Sequence, residues 1–554
     1  MRDYSIKITI LMGLETLFSA ALLALALPND LFLYGNPLYG FFALCPYFLC
    51  LSRSRSFGQA AFLGLVFGVF SHGFSSYWLA YFKEFAFWTL GLSCLVYGAL
   101  HAFLACFLRR ACLPFSTFPL RISRPLALAL AWTVWEWLKS SGFLGYPWGL
   151  LPYALNDHPW MIQIADFTGV WGLSFLLALS SALSAELVMG LRYTKGRNGM
   201  RELLYNGPLV CFWLALFASI SIYGLYRLSH PVLARETVPI ILVQPNADAW
   251  NGSELGALSE AVRLSNEGYK TYQEYLRYRK IESEAPPLIV WPETLLARPF
   301  EEYRSFFAKN PREFPLLSFL KEKNAYLLTG APLVQDWEQY TAFNGAILIS
   351  PEGTLLASYA KQHLVPFAEA VPFIEKPWMA SFMRKVVGFE GGWSAGKVSS
   401  LMELPLRGGG TLRIGTPICF EDAFARLCGT FFAEGADMLV NLTNDSWARQ
   451  SSAEIQHLAA ARFRTVENRR VLARAANSGL SAVINAEGKI LASLPCFEAA
   501  VLVSEVPVQI PERPTVYSVL GDWFPLCCGI LFCLMLIGGL LKPGAPGQDF
   551  PGAP

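Results

Sequence analysis

Long apolar segments at both ends of the chain restrict what it can fold into. About 20 consecutive apolar residues are enough to cross the hydrocarbon core of a bilayer as a helix, in which every backbone polar group is bonded internally. Segments of this kind occupy 6–27, 31–51, 58–81, 86–108, 125–141, 167–190, 208–227 and 520–541. The sequence therefore predicts an α-helical membrane bundle of about eight spans, interrupted by a long polar insertion.

Basic residues are concentrated in alternate loops between these predicted spans. The loops after the second, fourth and sixth spans contain Arg53, Arg55, Arg109, Arg110, Arg121, Arg124, Arg192, Lys195, Arg197 and Arg201. In the other loops of 1–227, at 28–30, 82–85 and 142–166, the only Lys or Arg is Lys83. Because short loops rich in Lys and Arg stay in the cytoplasm, both termini are expected there and 228–519 is expected outside.

This pattern divides the chain into four predicted parts. A membrane domain of seven spans covers 1–227, and an extracytoplasmic domain covers 228–519. The eighth span at 520–541 returns the chain to the cytoplasm, where the Pro- and Gly-rich tail at 542–554 is expected to stay disordered.

Residues 228–519 have the pattern of an α/β domain. Short β-rich runs occur at 239–243, 288–291, 325–328, 346–349, 412–415, 438–441 and 481–484. Helical patterns occur at about 253–282, 302–323, 421–434 and 453–469, and hairpins are predicted at 347–360 and 482–493. This alternation favours a layered α/β fold. The net charge of the chain, +2, gives no electrostatic reason to expect a nucleic-acid partner.

Three residues that suit acyl-transfer chemistry each stand beside a predicted strand of this domain. Glu293 ends the apolar run Pro287-Leu-Ile-Val-Trp-Pro-Glu293, Lys361 follows Tyr359-Ala360, and Cys419 follows Arg413-Ile-Gly-Thr-Pro-Ile418. Cys419 precedes a predicted helix start, whose dipole favours a thiolate. A nucleophilic thiol needs a base and a cation for the tetrahedral oxyanion, which Glu293 and Lys361 would supply. Glu, then Lys, then Cys is also the order of the nitrilase-type catalytic triad.

With these residues in view, nearly the whole chain resembles the apolipoprotein N-acyltransferase family. The resemblance depends on Trp291-Pro-Glu293, Lys361-Gln-His-Leu-Val-Pro-Phe-Ala-Glu369, Ile418-Cys-Phe-Glu421, Asn444-Asp-Ser-Trp447, Gln456-His457 with Arg462, Ala476-Asn-Ser-Gly479, and, in the membrane part, Trp135-Glu136 and Gly145-Tyr-Pro-Trp148. It implies a nitrilase-like αββα sandwich with Glu293, Lys361 and Cys419 as its catalytic triad. It also implies a bacterial inner-membrane enzyme whose catalytic domain lies on the periplasmic side.

The reaction implied by this resemblance uses two lipid substrates and no cofactor. A fatty acyl chain moves from a membrane phospholipid to the Cys thiol, and then to the α-amino group of the diacylglyceryl-modified N-terminal cysteine of an apolipoprotein. Supporting or substrate-binding residues implied in the same way are Glu369, Phe420, Glu421, Trp250 and Trp378. Phe420 departs from the family pattern, in which Tyr is familiar, and Ala448-Arg449 replaces a familiar aromatic residue and Gly; both departures concern substrate fit.

A membrane-facing lid is predicted at about 375–393, after the Lys361 and Glu369 segment. Its aromatic and basic residues suit the boundary between lipid headgroups and acyl chains, and its glycines would let it move. An ordinary packed helix of the sandwich is the alternative for the same segment.

Other interpretations remain open at this stage. Cys419 taken alone fits a buried structural cysteine, and Glu293, Lys361, Glu369 and Glu421 taken alone fit ordinary charged residues. A membrane-tethered amidase would use the same triad with water as acceptor, and a non-enzymatic transport or scaffold protein would need no triad. The His and Cys residues lack zinc-site spacing, so no metal is expected. Pairing of Cys428 with Cys496 is left undecided, and Glu136 with Lys139 fits either a functional site or an ion pair within a span.

Overall fold

The computed structural model describes residues 2–82, 85–113, 120–193, 199–280, 286–312, 314–336, 341–371, 373–374, 376–387, 392–406 and 409–541. The predicted cytoplasmic tail therefore lies outside the described residues. The chain divides into two compact units, one formed by Met1–Ser229 with Leu520–Pro554 and the other by His230–Val519.

In the residues that the structure describes, the regular structure of the first unit is helical. Its helices are α1 (Arg2–Ala26), α2 (Pro37–Phe42), α3 (Cys45–Arg53), α4 (Phe57–Ser75), α5 (Ser93–Ala111), α6 (Leu120–Lys139), α7 (Pro159–Ile162), α8 (Ala165–Thr168), α9 (Trp171–Tyr193) and α10 (Gly199–Ser229), with α18 (Trp523–Leu541) from the end of the chain. Short 3₁₀ turns at Tyr77–Tyr81 and Leu151–Leu155, and a π-helical segment at Phe87–Leu92, connect them. Among the described residues, five helices are long and apolar enough to cross a membrane, namely Lys7–Ala26, Phe57–Ser75, Phe87–Ala111, Trp171–Leu191 and Gly207–Ser229, and Trp523–Gly538 is a shorter apolar helix.

Two of the predicted spans differ in the structure. Residues 31–51 form no continuous helix but belong to α2 and α3, because Pro37 and Pro46 each begin a new helix. The predicted span 125–141 lies mostly within α6, a helix that carries charged residues near both ends. The eight-span count of the sequence analysis is therefore not reproduced by helix length and composition alone.

Glu136 and Lys139 each hydrogen-bond to other groups, in contrast to the direct ion pair considered from their spacing. The Glu136 carboxylate accepts hydrogen bonds from the Leu151 amide at 2.7 Å and the Ser174 hydroxyl at 2.6 Å. The Lys139 ammonium donates to the Trp148 carbonyl at 2.6 Å. Backbone and hydroxyl partners therefore satisfy both charged groups inside this unit.

The second unit contains two six-stranded sheets. Their strands are β1 (Ala234–Gln244), β2 (Leu288–Val290), β3 (Tyr326–Asp336), β4 (Thr341–Ile349), β5 (Leu355–Ala360), β6 (Met402–Pro405), β7 (Thr411–Gly415), β8 (Met438–Thr443), β9 (Leu472–Ala476), β10 (Ala482–Ile484), β11 (Ile490–Ser493) and β12 (Ala500–Gln509). The strand orders are β12-β1-β2-β3-β4-β5 and β11-β10-β9-β8-β7-β6. In both sheets the central strands are parallel and the outer pairs antiparallel. The expected α/β domain with two sheets is confirmed.

Strand alternation builds a layered core. Ile240 and Leu242 of β1 face the same core as Ile414 of β7 and Val440 of β8, so the two sheets share one hydrophobic layer. Ile241 and Val243 belong to a second core under α11 (Glu254–Arg279), α12 (Phe300–Lys309) and α13 (Leu316–Lys323). The remaining helices of this unit are α14 (Pro377–Phe382), α15 (Ala425–Ala433), α16 (Ser451–Asn468) and α17 (Val516–Leu520).

Local differences from the predicted elements have local causes. The predicted helix at 302–323 is two helices, because Pro311 and Pro315 stand between α12 and α13. The predicted hairpins are present as the antiparallel pairs β4–β5 and β10–β11. Cys428 and Cys496, whose pairing was undecided, are both free thiols.

Candidate active site

Glu293 lies in the short loop after β2, where the apolar strand ends. Its side chain is only 6% exposed. One carboxylate oxygen, Oε1, accepts from the Lys361 ammonium at 3.0 Å and from the Asn344 side-chain amide at 2.8 Å. The other, Oε2, accepts from the Asn444 backbone amide at 3.0 Å. These donors fix the orientation of a buried carboxylate, as a general base requires.

Lys361 follows β5 and is completely buried. Its ammonium donates to Glu293 at 3.0 Å and to Glu369 Oε1 at 2.9 Å. Burial alone would lower the pKa of Lys361, but Glu293 and Glu369 raise it well above the usual value. Asn344 of β4 donates to both carboxylates, at 2.8 and 3.0 Å, so the two acids and the cation form one hydrogen-bonded cluster.

Cys419 adopts a strained backbone conformation at the point where the chain turns away from β7. Its φ of 51° lies in the left-handed region that non-glycine residues rarely adopt. It begins a single 3₁₀ turn, Cys419–Ala423, and α15 starts only at Ala425. Burial and Glu293 raise the pKa of the Cys419 thiol well above its usual value, although Lys361 lowers it. These effects favour the protonated thiol in the resting site, so a base is needed to remove its proton.

Glu421 connects the turn that carries Cys419 to the segment that carries Lys361. Its two oxygens accept from the amides of Gln362 at 2.7 Å, His363 at 2.9 Å and Ile418 at 2.8 Å. Burial raises the pKa of Glu421 to about 7, against the effect of these amide donors. Glu421 thus fixes the relative position of the nucleophile and the cation by binding the backbone amides of the two segments that carry them.

The predicted supporting aromatic residues have different surroundings. Phe420 is buried and packs edge-on against Phe424, with ring centroids 4.9 Å apart. Trp250 donates from its indole nitrogen to the Trp447 carbonyl at 3.1 Å, and their rings meet edge-on at 5.2 Å. Trp378, on α14, is 64% exposed.

The predicted lid is only partly described, since Glu375 and residues 388–391 lie outside the described residues. Trp378 and Phe382 of α14 are exposed, as expected for a lid. Met383, which was expected to be exposed beside them, is buried instead. The exposed surface of this segment is therefore narrower than its sequence indicates.

Several residues of this site were not identified from the sequence. Asn344 lies within β4 and precedes Gly345. An Asn-Gly pair usually indicates a turn, so the sequence did not point to this residue. Thr443, at the end of β8, lowers the pKa of the Cys419 thiol, and the amide of Asn444 binds Glu293. The Asn444-Asp-Ser-Trp447 motif was the one signal that pointed to this loop.

Two family models together match most of the chain. The apolipoprotein N-acyltransferase N-terminal domain matches residues 19–183, and the carbon-nitrogen hydrolase family matches residues 243–510. The first match lies in the helical unit and the second covers the two-sheet unit that contains the site.

Curated relatives match the chain over almost its whole length. Apolipoprotein N-acyltransferase 2 of Treponema denticola is 36% identical over 95% of this chain and 96% of the relative. Apolipoprotein N-acyltransferase 2 of Treponema pallidum is 35% identical over 93% of this chain and 92% of the relative. Among solved structures, an amidase from Nesterenkonia sp. is 18% identical with a TM-score of 0.32, covering 50% of this chain and 93% of that chain.

Proposed function

The chain belongs to the apolipoprotein N-acyltransferase family, and we propose that it transfers a fatty acyl chain from a membrane phospholipid, through a thioester on Cys419, to the lipidated N-terminal cysteine of apolipoproteins. It is an acyltransferase of bacterial membranes with a nitrilase-like domain. The observation that supports the mechanism is the buried contact of 3.0 Å between Glu293 and Lys361. Both of these charges act on the pKa of the Cys419 thiol.

The first half-reaction forms the thioester. Glu293 takes the proton of the Cys419 thiol, and the sulfur attacks the carbonyl carbon of a phospholipid ester. The carbonyl oxygen of the ester becomes an oxyanion, which the Lys361 ammonium stabilises; one such donor is typically worth about 3–4 kcal/mol of the barrier. When the tetrahedral intermediate collapses, the carbon–oxygen bond breaks, and Glu293 returns the proton to the leaving lysophospholipid oxygen.

The second half-reaction forms the amide. The α-amino group of the acceptor cysteine attacks the thioester carbonyl, and Glu293 takes a proton from the attacking nitrogen. Lys361 stabilises the second oxyanion. The carbon–sulfur bond then breaks, and the Cys419 sulfur regains the proton from Glu293. Glu293 and Glu369 hold the pKa of Lys361 well above its usual value in the resting site, which keeps its ammonium charged there.

Glu369 and Glu421 are proposed to position Lys361 rather than to contact substrate. Glu369 binds its ammonium, and Glu421 binds the two amides that follow it. Phe420 and Trp250 are proposed to border the substrate site. Their rings are held in place by the contacts with Phe424 and Trp447.

Trp378 and Phe382 are proposed to contact the acyl chains of the donor. Exposed aromatic residues close in sequence to a catalytic lysine suit an apolar ligand. Replacing both by serine is expected to slow acylation by vesicle phospholipid at least about tenfold more than acylation by a short soluble ester, since about 25 cal/mol is lost per Å² of apolar contact. Time courses of acylation with each donor measure the ratio of the two rates.

Tyr278, near the end of α11, provides a matched control, because it is an exposed aromatic residue outside the predicted lid. Tyr278→Ser should leave the ratio of the two rates unchanged. Equal losses with both donors in the Trp378 and Phe382 variant would show that these side chains stabilise the domain and do not bind lipid.

An amidase that hydrolyses its acyl-enzyme is the alternative use of this triad, and the family assignment does not favour it. The two activities differ in their products. With a labelled phospholipid and a diacylglyceryl-peptide acceptor, most of the released label is expected as amide on the acceptor's N-terminus. Mass spectrometry that finds chiefly free fatty acid would instead identify water as the acceptor.

The sidedness of the chain is also a proposal. The distribution of Lys and Arg supports a catalytic domain, 228–519, outside the cytoplasm, anchored by a membrane domain at 1–227 and a span at 520–541, with both termini inside. A reporter fused near Ser229 should be active only if it folds outside the cytoplasm.

A further inference from the structure

A buried histidine, His457, bridges two carboxylates beneath the proposed active site. Its Nε2 lies 2.9 Å from Asp422 Oδ1, and its Nδ1 lies 2.9 Å from Asp445 Oδ1. Arg474 of β9 joins the same two acids: its guanidinium donates to Asp445 Oδ2 at 2.6 Å and also binds Asp422 Oδ2. All four side chains are at least 87% buried, since Asp445, the least buried, is 13% exposed.

The charge balance of this cluster favours an imidazolium. Two carboxylates face Arg474 and His457, so a charged His457 leaves the buried group without net charge, which a water-free interior requires. Nδ1 also lies 2.8 Å from Arg474 Nη2, but a ring without a proton on Nδ1 would give no donor to Asp445 Oδ1, which lies 2.9 Å away. Burial and Arg474 lower the pKa of His457, but Asp445 and Asp422 outweigh them and raise it to about 9.

One further acid, Glu454, faces the cluster from the same helix, α16. Burial and Asp445 raise the pKa of Glu454 well above its usual value, so it stays protonated and adds no charge. The Cys419 thiol, which also senses Asp445, is likewise neutral at rest. The bridge therefore loses its charge balance only when His457 loses its proton.

The two ends of the bridge belong to the two loops that carry the reacting groups. Asp422 lies in the 3₁₀ turn that begins at Cys419. Asp445 accepts from the Thr443 hydroxyl at 3.1 Å. The residue between them, Asn444, gives its amide to Glu293. The bridge thus connects the nucleophile's turn with the loop that orients the base.

We propose that His457 is a positioning residue of the acyl-transfer reaction: its imidazolium ties Asp422 to Asp445 and so fixes the Cys419 thiol relative to the Glu293 carboxylate. This inference rests on the roles proposed above for Cys419 and Glu293. A mismatch of about 1 Å between reacting groups can cost about 10²-fold in rate. His457 itself touches neither substrate nor the reacting atoms.

His457→Gln tests the proposal in the full-length enzyme with phospholipid in detergent micelles. Formation of the Cys419 thioester is followed in a single turnover by mass spectrometry. At neutral pH we expect the rate to fall about 10²-fold, with the half-saturating donor concentration within about threefold of the wild-type value. The ratio of wild-type to variant rates should then fall toward one above about pH 9, where the wild-type histidine loses its proton. Taking this ratio cancels every titration that the two proteins share.

Arg462→Gln is the matched control, because Arg462 is a buried cation of the same helix that binds the Gly488 carbonyl instead. It should lower stability without a pH-dependent change in the ratio. Asp445→Asn gives a second route if His457→Gln does not fold, and it should show the same loss. In the double variant of Asp445 and His457 the losses should not add.

Four results would overturn the proposal. An unchanged acylation rate in folded His457→Gln removes the positioning role. A loss that is equal at every pH removes the charged bridge, as does full additivity with Asp445→Asn. If wild-type protein acylates an acceptor without any thioester on Cys419, the proposed mechanism itself fails. That failure is distinguishable from a failure of the positioning role, because it is seen in the wild-type protein alone.

Discussion

Replacing Cys419 by alanine is expected to abolish acyl transfer, by at least about 10³-fold, and to remove the acyl adduct that wild-type protein forms with phospholipid. The reason is that the thiol is the one group proposed to hold the acyl chain between donor and acceptor. Wild-type protein incubated without acceptor should carry the acyl mass on the peptide that contains Cys419. Because this thiol serves donor and acceptor in turn, initial-rate plots at several acceptor concentrations should be parallel.

Cys496 provides the matched control, since it is another free, half-buried cysteine of the same unit. Cys496→Ala should transfer acyl groups like the wild type and keep the adduct on Cys419. Transfer by Cys419→Ala at near wild-type rate, or intersecting lines in the kinetic plots, would mean that donor and acceptor react directly in a ternary complex.

The three proposed catalytic residues were accessible from the sequence because each follows a predicted strand. Such runs are recognisable from a few neighbouring residues, and Glu293, Lys361 and Cys419 come after β2, β5 and β7. The two-sheet domain was predictable for the same reason. The membrane spans were less so, since hydropathy does not reveal that 31–51 breaks at its prolines.

The residues that orient the trio were not accessible in this way. Arg474 stands in the middle of a fully buried strand, Leu472–Ala476, whose alanines and arginine resemble a helix. Its burial makes sense only with Asp422 and Asp445, which are 52 and 29 residues away in the sequence. A charged residue of this kind is explained by partners that only the fold brings together.

Replacing Lys361 by methionine is expected to lower acyl transfer about 10²- to 10³-fold, because the oxyanion loses its cation. The same change should destabilise the domain by about 3–5 kcal/mol, since it leaves Glu293 and Glu369 as buried carboxylates without their shared cation. Steady-state kinetics and thermal unfolding measure the two effects on the same preparation.

A second substitution separates these two effects. Combining Lys361→Met with Glu369→Gln removes one of the two buried charges, while the Gln carbonyl oxygen can still accept from one of the two donors that bind Glu369, Asn344 or the Val365 amide. The double variant should therefore regain part of the lost stability and none of the lost activity. Surface Lys323, which pairs with the exposed Glu322, serves as the control, and Lys323→Met should change neither quantity. If the double variant recovered activity together with stability, Lys361 would be a structural counter-ion of two acids, and the oxyanion would need another donor.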